Sequence, residues 1–592
     1  MTRPCDICRK RKLRCVKEPG SNRCVLCTFH HRDCTFVEKI PKRRTRQALS
    51  QPIAETITYA EGDAEHPNPI ASTSTAAPTP KPAALENPVP TPSLLHHTLG
   101  LDRTTYSVFV GPSSLQEPSL VDLPENGPQP AQPNSHALPD LRRVAPLDVF
   151  IRRLHHSSSE AADLEAIESI VHPHGPALVG LYFRIVHPSY PILHKGVWLE
   201  KYQRDFREFR PCLLAAVYAL AIDWWEYDVA LSEKTKPRTD QLVEIATRTL
   251  ATAMAHPILS GVQAGLLLLQ RSGGDSWILS SQVVALAEEL GLHADCLSWD
   301  IPDWEKGVRR RLAWAVYMQD KWGSLIHGRP SHINLMDWRL LPLRLSDFPE
   351  SAADEDDTEG STEVEKGRCL FMHLARLTMI MADVGAKLYT LDQTTNNEIL
   401  ATQGAVGLLE LIKPIALQLK EWASAIPPGL GLEDVSDRKL CSNGYIHLSY
   451  YVAEIIIHRF VIRKLTPTTP AHVRQLCRDA ARARFEHAIS FIERLRPEHL
   501  QSFWWFASPK SLAMIDSFGT LLYATSTTSE DASFYRQTLE SLHWTFKVRS
   551  KGSMIMAAAM HELREARLGL NLSLSPNLAP DYNWTMLRLM RY

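Results

Sequence analysis

The chain has 592 residues, 44% of them hydrophobic, which is enough apolar material for more than one domain. Its formal net charge of −1 hides an asymmetry, because residues 1–46 carry fourteen Lys or Arg against four Asp or Glu, a balance of +10 that leaves −11 on the remainder. A basic head on a mildly acidic body argues for a polyanionic partner. The lack of an apolar stretch at the N-terminus, and apolar runs such as Cys212 to Ile222 that fall short of the ~20 residues of a bilayer span, argue against a secreted or membrane protein.

In a soluble intracellular protein thiols stay reduced, and a cysteine cluster suits metal better than disulfides. Six of the eleven cysteines fall in the first 34 residues: Cys5, Cys8, Cys15, Cys24, Cys27 and Cys34. They form CxxCxxxxxxC twice, separated by the eight residues Val16 to Arg23. One tetrahedral zinc takes four ligands, so six sulfurs serve two Zn²⁺ only if two of them bridge. The pseudo-symmetry assigns the bridges to Cys5 and Cys24, leaving Cys8 and Cys15 to one metal and Cys27 and Cys34 to the other. A single site built from the two CxxC pairs, or a disordered basic tail, leaves the matched spacing of Cys15 and Cys34 unexplained. His30 and His31 are read as surface residues.

The stretch resembles the fungal Zn2Cys6 binuclear cluster of transcription factors, including Pro19 in the loop between the halves. A helix of about one turn after Cys8 projects Arg9, Lys10, Arg11, Lys12 and Arg14 outward, and so short a helix persists only on a metal-ordered core. The resemblance implies that this helix enters the major groove at a CGG triplet, with Arg11 and Lys12 reading bases and Arg9, Arg14 and Lys17 on phosphates. Arg and Lys match the O6 and N7 acceptors of guanine. The second half, "CVLCTFHHRDC", has Arg32 as its one cation and is read mainly as scaffold. "KIPKRRTR", residues 39–46, follows; Lys42, Arg43 and Arg44 there are expected to add backbone contacts or a nuclear localisation signal. These features imply a nuclear regulator of RNA polymerase II transcription that binds double-stranded DNA.

No apolar repeat of 3.5 residues continues after Arg46, so a coiled-coil dimer is not expected. The chain then reads one half-site alone or pairs through its body. Residues 51–140 hold sixteen of the forty prolines, the composition of a disordered linker. Within it "TTYSVFVGPSSL", residues 104–115, alternates apolar and polar residues and is expected to be an extended segment docked on the next domain. "LQEPSLVDLPEN" has the Leu-and-acid mixture of activation segments.

From residue 145 the pattern is helical. A helix starts at Pro176 and stops before Pro188. "DSWILSSQVVALAEELGLH" is a helix with Asp275 as N-cap, with Ile278, Val283, Ala287 and Leu290 on one side, and with its end at Gly291. A long helix follows, running to the Gly-Arg-Pro turn at Gly328. The expected class is all-α: the cluster over 1–46, a linker over 47–144, and a multi-helical regulatory domain over 145–592 with an acidic loop at 347–365. That loop carries nine acids and no Lys or Arg. The Leu-rich C-terminus is expected to be partly packed on the body.

"YFRIVHPSYPILH", "ALAEELGLH", "RRRLAWAVYMQD" and "GRPSHI" in this order resemble the fungal-specific transcription factor middle homology region, clearly over residues 175–345. Lys321 and Trp322 follow Asp320 where most members have Arg. "DKWGSLIHGRPSHI" further resembles a subgroup of nitrogen-catabolism co-activators, which implies control of nitrogen or metabolite utilisation genes. A co-regulator that is recruited by partner proteins or the transcription machinery and makes little use of its own DNA contacts is the rival reading. His327, His332, Asp320 and Arg329 could suggest an acid–base or metal site, but they flank a tight turn and no HExxH, GxSxG or phosphate-loop pattern accompanies them. They are read as structural, and the chain as no enzyme.

Overall fold

The computed structural model describes residues 93–95, 97–99, 105–115, 140–146, 148–154 and 159–570, the last range with gaps at 272, 349–363, 396–397 and 437–438. All of them belong to the second of the chain's two units, Pro90–Tyr592.

The alternation in "TYSVFV" produces strand β1 (Thr105–Val110), which pairs antiparallel with β3 (Val149–Leu154), and β3 pairs antiparallel with β2 (Asp140–Arg143) on its other edge. The register sets Val108 opposite Ile151 and Phe109 opposite Phe150. The extended segment expected at 104–115 is therefore β1. The boundary expected at residue 145 falls inside the sheet. Val149, Phe150 and Ile151 are β-branched or aromatic and are buried on the central strand, so helix begins only at Ser159. Upstream, residues 93–95 and 97–99 belong to a strap. Ser93 Oγ donates to Glu200 at 2.6 Å, and Arg142 of β2 donates to the carbonyls of Thr98 (3.1 Å), His97 (3.0 Å) and Asp300 (2.8 Å).

Among the described residues the rest of the regular structure is helical; the short helices Val229–Ser232, Leu391–Thr395 and Pro497–Leu500 and the 3-10 turns are left unnumbered. The first half comprises α1 (Ser159–Val171), α2 (Gly175–Leu181), α3 (Lys195–Arg204), α4 (Pro211–Ala221), α5 (Thr239–Met254), α6 (Leu259–Gln270), α7 (Trp277–Glu289) and α8 (Asp303–His327). The second comprises α9 (Val364–Leu388), α10 (Glu398–Ser424), α11 (Asn443–Lys464), α12 (Ala471–Arg494), α13 (Ser508–Ala524), α14 (Ser529–Arg549) and α15 (Met554–Leu570). A π-helical stretch, Tyr182–Val186, continues α2 to the His187–Pro188 stop. Every residue of α4 is buried, because its run of Leu, Ala and Val offers no polar face. Helix α9 is apolar and long enough to span a bilayer by length and composition, but it packs among α8, α10 and α11 in the core.

Helix α7 ends at Gly291, whose φ of +69° favours glycine. Its N–H donates to Glu288 O and that of Leu292 to Ala287 O, both at 2.9 Å, the paired bonds of a Schellman stop. Two details differ from the sequence reading. Ser276, not Asp275, is the N-cap, accepting from Leu279 N. Ile278 is exposed, since five residues separate it from Val283, about 140° of helical turn.

Helix α8 carries buried charge. Glu305 is wholly buried, and Arg309 Nε donates to it at 2.9 Å. Arg309 also donates to Leu290 O (3.0 Å), with its guanidinium over Trp299 (5.5 Å) and Phe150 (5.9 Å). Glu305 in turn accepts from Leu99 N of the strap at 3.1 Å. Arg310 donates to Asp347 (3.1 Å) and to Pro342 O (2.7 Å). Asp347 is therefore no part of a solvated acidic loop, as the sequence suggested; the buried guanidinium of Arg310 requires its carboxylate.

Two outcomes follow for stability. Glu305→Ala leaves Arg309 buried without its carboxylate and should cost about 3–5 kcal/mol, whereas Lys413→Ala, on a surface pair, should stay within about 0.5 kcal/mol. The urea midpoint of the full chain, read by tryptophan fluorescence, measures both, and equal midpoints contradict the first. Burial also pushes the imidazoles of His458 and His499 down to about 4. Both enter the fold neutral, so their contribution is complete above the unfolded value of about 6.5 and is lost progressively as pH falls from there towards 4. A midpoint that stays flat between those pH values contradicts the assignment.

Candidate functional site

The residues assigned to zinc (Cys5, Cys8, Cys15, Cys24, Cys27, Cys34) and to DNA (Arg9, Lys10, Arg11, Lys12, Arg14, Lys17, Lys42, Arg43, Arg44) lie outside the described residues. So do most of the linker, residues 349–363 of the acidic run, and the C-terminus from residue 571. Among the described residues, no group of three or more His, Cys, Asp or Glu is placed to hold a metal ion.

A convergence of polar side chains lies where α8 meets the GRPSHI turn. Gly328 has φ +61°, and the Arg329 N–H returns to Ser324 O at 3.0 Å, so the helix stops by the same device as α7. The chain then folds back along α8 onto Asp320. This wholly buried carboxylate accepts from the Ser331 hydroxyl, from His332 N (2.9 Å) and from Ile333 N (3.3 Å), with His332 Nδ1 at 3.2 Å. Lys321 Nζ donates to Ile333 O at 2.7 Å and lies 3.5 Å from Asp320. Lysine at this position thus ties the returning strand of chain, while Trp322 points inward and donates to Thr378 Oγ1 on α9 at 2.9 Å.

His332 stacks on Trp277, ring centroids 4.2 Å apart, at the start of α7. His327 Nε2 meets Asp275 at 3.1 Å, and Lys510 of α13 donates to the same carboxylate. Burial alone raises the pKa of Asp275, but the hydrogen bonds from His327 and Lys510 and their charges outweigh it and hold the carboxyl below its ordinary value. Arg329, read from the sequence as structural, has an exposed side chain, and its backbone N–H makes the turn's bond. Asp320 therefore acts as a fastener for the turn, with its oxygens occupied by donors from three successive residues. The sequence showed that Asp320 and the turn belong together. It gave no sign of Lys510, which lies 235 residues from Asp275.

Asp320→Ala should release the turn. The buried N–H of Ile333 loses its acceptor, at roughly 1–3 kcal/mol, and the part-buried N–H of His332 loses the same carboxylate, so amide exchange at His332 and Ile333 should accelerate towards loop rates. Unchanged protection at these two amides contradicts the fastener role.

Residues 179–424 match the fungal specific transcription factor domain. The transcriptional activator protein DAL81 of Saccharomyces cerevisiae is 36% identical over 75% of this chain and 49% of its own length. An uncharacterized transcriptional regulatory protein of Schizosaccharomyces pombe is 28% identical over 70% of this chain and 69% of that protein. The acetamidase regulatory protein of Aspergillus oryzae is 25% identical over 57% of this chain and 41% of that protein. The chain thus spans about half the length of the yeast activator.

Proposed function

Residues 179–424 are a fungal specific transcription factor domain, and from that premise we propose that the chain is a zinc-dependent, sequence-specific DNA-binding regulator of RNA polymerase II transcription that works in the nucleus. The observation that carries this reading is the doubled CxxCxxxxxxC within a segment of charge +10, upstream of a transcription-factor domain. Six thiolates suit two tetrahedral Zn²⁺ if Cys5 and Cys24 bridge. The bound metal supplies the order that a one-turn helix lacks by itself, and Arg11 and Lys12 then meet guanine edges of a CGG triplet while Arg9, Arg14 and Lys17 meet phosphates and Lys10 adds to the DNA-facing charge. Lys42, Arg43 and Arg44 extend the backbone contacts. The likeness to the acetamidase regulatory protein of Aspergillus oryzae supports nitrogen or metabolite utilisation genes as targets.

A second reading is favoured by the single cation of "CVLCTFHHRDC" and the absence of a heptad repeat after Arg46. A lone half-site offers few contacts, so recruitment by partner regulators can dominate. In that case the head shows no preference for CGG.

Two measurements test the proposal. Native mass spectrometry of the full chain should show two Zn²⁺ that are lost together with the head's structure on chelation; saturation at one zinc sinks the bridged cluster. Lys12→Ala should cost about 1–3 kcal/mol on a CGG duplex and far less on a scrambled one, because a lost base contact penalises only the right sequence. Arg44→Ala should weaken both duplexes alike and lower the salt slope by about one. Equal weakening of both duplexes by Lys12→Ala would make the helix an electrostatic tether and not a reader.

A further inference from the structure

Helices α11 and α12 are joined by a short turn, Thr466 to Thr469, and the charge of the chain around it is one-sided. Residues 455–478 hold five Lys or Arg (Arg459, Arg463, Lys464, Arg474 and Arg478) and no Asp or Glu, although residues 47–592 together are acidic. The next arginines along α12 have carboxylates: Arg482 meets Glu486 and Asp531, both at 3.0 Å, and Arg484 meets Glu454 at 3.1 Å. Arg474 has none among the described residues. Its Nη1 donates to the carbonyls of Thr466 (3.5 Å), Pro467 (3.3 Å) and Thr469 (3.2 Å), which leaves Nε and Nη2 to spare. Arg463, at the end of α11, is exposed and likewise meets no carboxylate among the described residues.

The turn itself is closed by its backbone. Pro467 takes the second position, where its fixed φ suits a turn, and Thr469 N donates to Thr466 O at 3.0 Å. The three threonine hydroxyls then differ. That of Thr469 is inside, in a residue 6% exposed, and accepts from Thr466 N at 3.2 Å. That of Thr466, a half-buried residue, lies between the hydroxyls of Thr468 (2.8 Å) and Thr469 (3.2 Å). Thr468 is the exposed member, and its hydroxyl bonds no backbone group of the turn. It can carry a substituent while the turn stays closed. Arg474 holds the carbonyls on either side of it, so the spare edge of the guanidinium is anchored next to this side chain.

We propose that Thr468 is a phosphorylation site and that Arg474, assisted by Arg463, is the receptor for its phosphate. A protein kinase would supply the group from ATP: the bond from Thr468 Oγ1 to the γ-phosphorus forms, the bond from that phosphorus to the bridging oxygen breaks, ADP leaves, and the hydroxyl proton passes to the kinase's base. The product carries about −1.5 to −2 charge and three acceptor oxygens at a corner that has cations and no acid. Guanidinium forks match phosphate. Lys464 is already engaged, donating to Gln393 O at 2.7 Å, and contributes its field. The captured phosphate ties the first turn of α12 to the end of α11 and offsets the charge gathered there. The assignment stands apart from what the N-terminal head binds.

Two measurements test it. Tandem mass spectrometry of the full chain, purified with phosphatase inhibitors from rich and from starved cultures of the fungus that makes it, should place a phosphate on Thr468 that phosphatase removes. The full chain made with phosphothreonine at position 468 should then show capture: in a phosphorus NMR titration the second pKa of that phosphate, ordinarily about 6, should fall to about 5.5 or below, and Arg474→Gln should return it to about 6. Arg463→Gln should return it part of the way, with the urea midpoint of each variant confirming the fold. A phosphate on Thr466 alone, none on the turn in either culture, or a titration that Arg474→Gln leaves unmoved each overturns the proposal.

Discussion

The buried ion pair of Glu305 with Arg309 is the contact through which the parts of the body are joined. A charge without water needs polar or polarisable neighbours, and here they come from four places: Leu290 at the end of α7, Phe150 of β3, Trp299 of the following loop, and Leu99 of the strap. Each is held because the pair requires it. The chain arriving from the N-terminal side is thereby fixed to the first turn of α8, and the small sheet is seated over the same turn.

The same rule operates along the rest of α8. Arg310 fixes the segment ending at Asp347, with Trp314 Nε1 donating to Leu341 O at 3.0 Å to hold its middle. At the far end Asp320 gathers the residues after the Gly328 turn. Buried polar groups on one long helix thus fasten three stretches of irregular chain, adding to the burial of Leu99, Ile333, Trp338, Leu343 and Phe348 from the same stretches. Within the segment that matches the fungal specific transcription factor domain, α8 turns Glu305, Arg309, Arg310, Arg311 and Asp320 inward, where backbone groups of neighbouring loops take the place of water for several of them.

This arrangement bears on how the body works. The acids and histidines near the GRPSHI turn are committed to hydrogen bonds within the fold, which leaves recognition to surfaces elsewhere. The loop 428–434 is of the other kind. Its backbone is anchored by Asn443 while Glu433 sits in exposed pairs with Arg494 and Arg496.

The sequence alone determined what depends on short range. Doubled cysteine spacing, the glycines at the ends of α7 and α8, the alternation of β1 and the long apolar helices are all set within a dozen residues, where backbone geometry and periodicity decide the outcome. It also marked Asp320 and the turn as one unit, twelve residues apart. Tertiary structure alone decided the rest: that "RRR" is buried and not a solvated or nucleic-acid-binding run, that Asp347 leaves the acidic loop for Arg310, that Asp275 serves His327 and Lys510 in place of the α7 N-cap, and that Glu433 meets Arg494 and Arg496. The reason is the same in each case. A charged side chain carries no local sign of whether it will be buried, and its partner is set by which distant helix packs beside it.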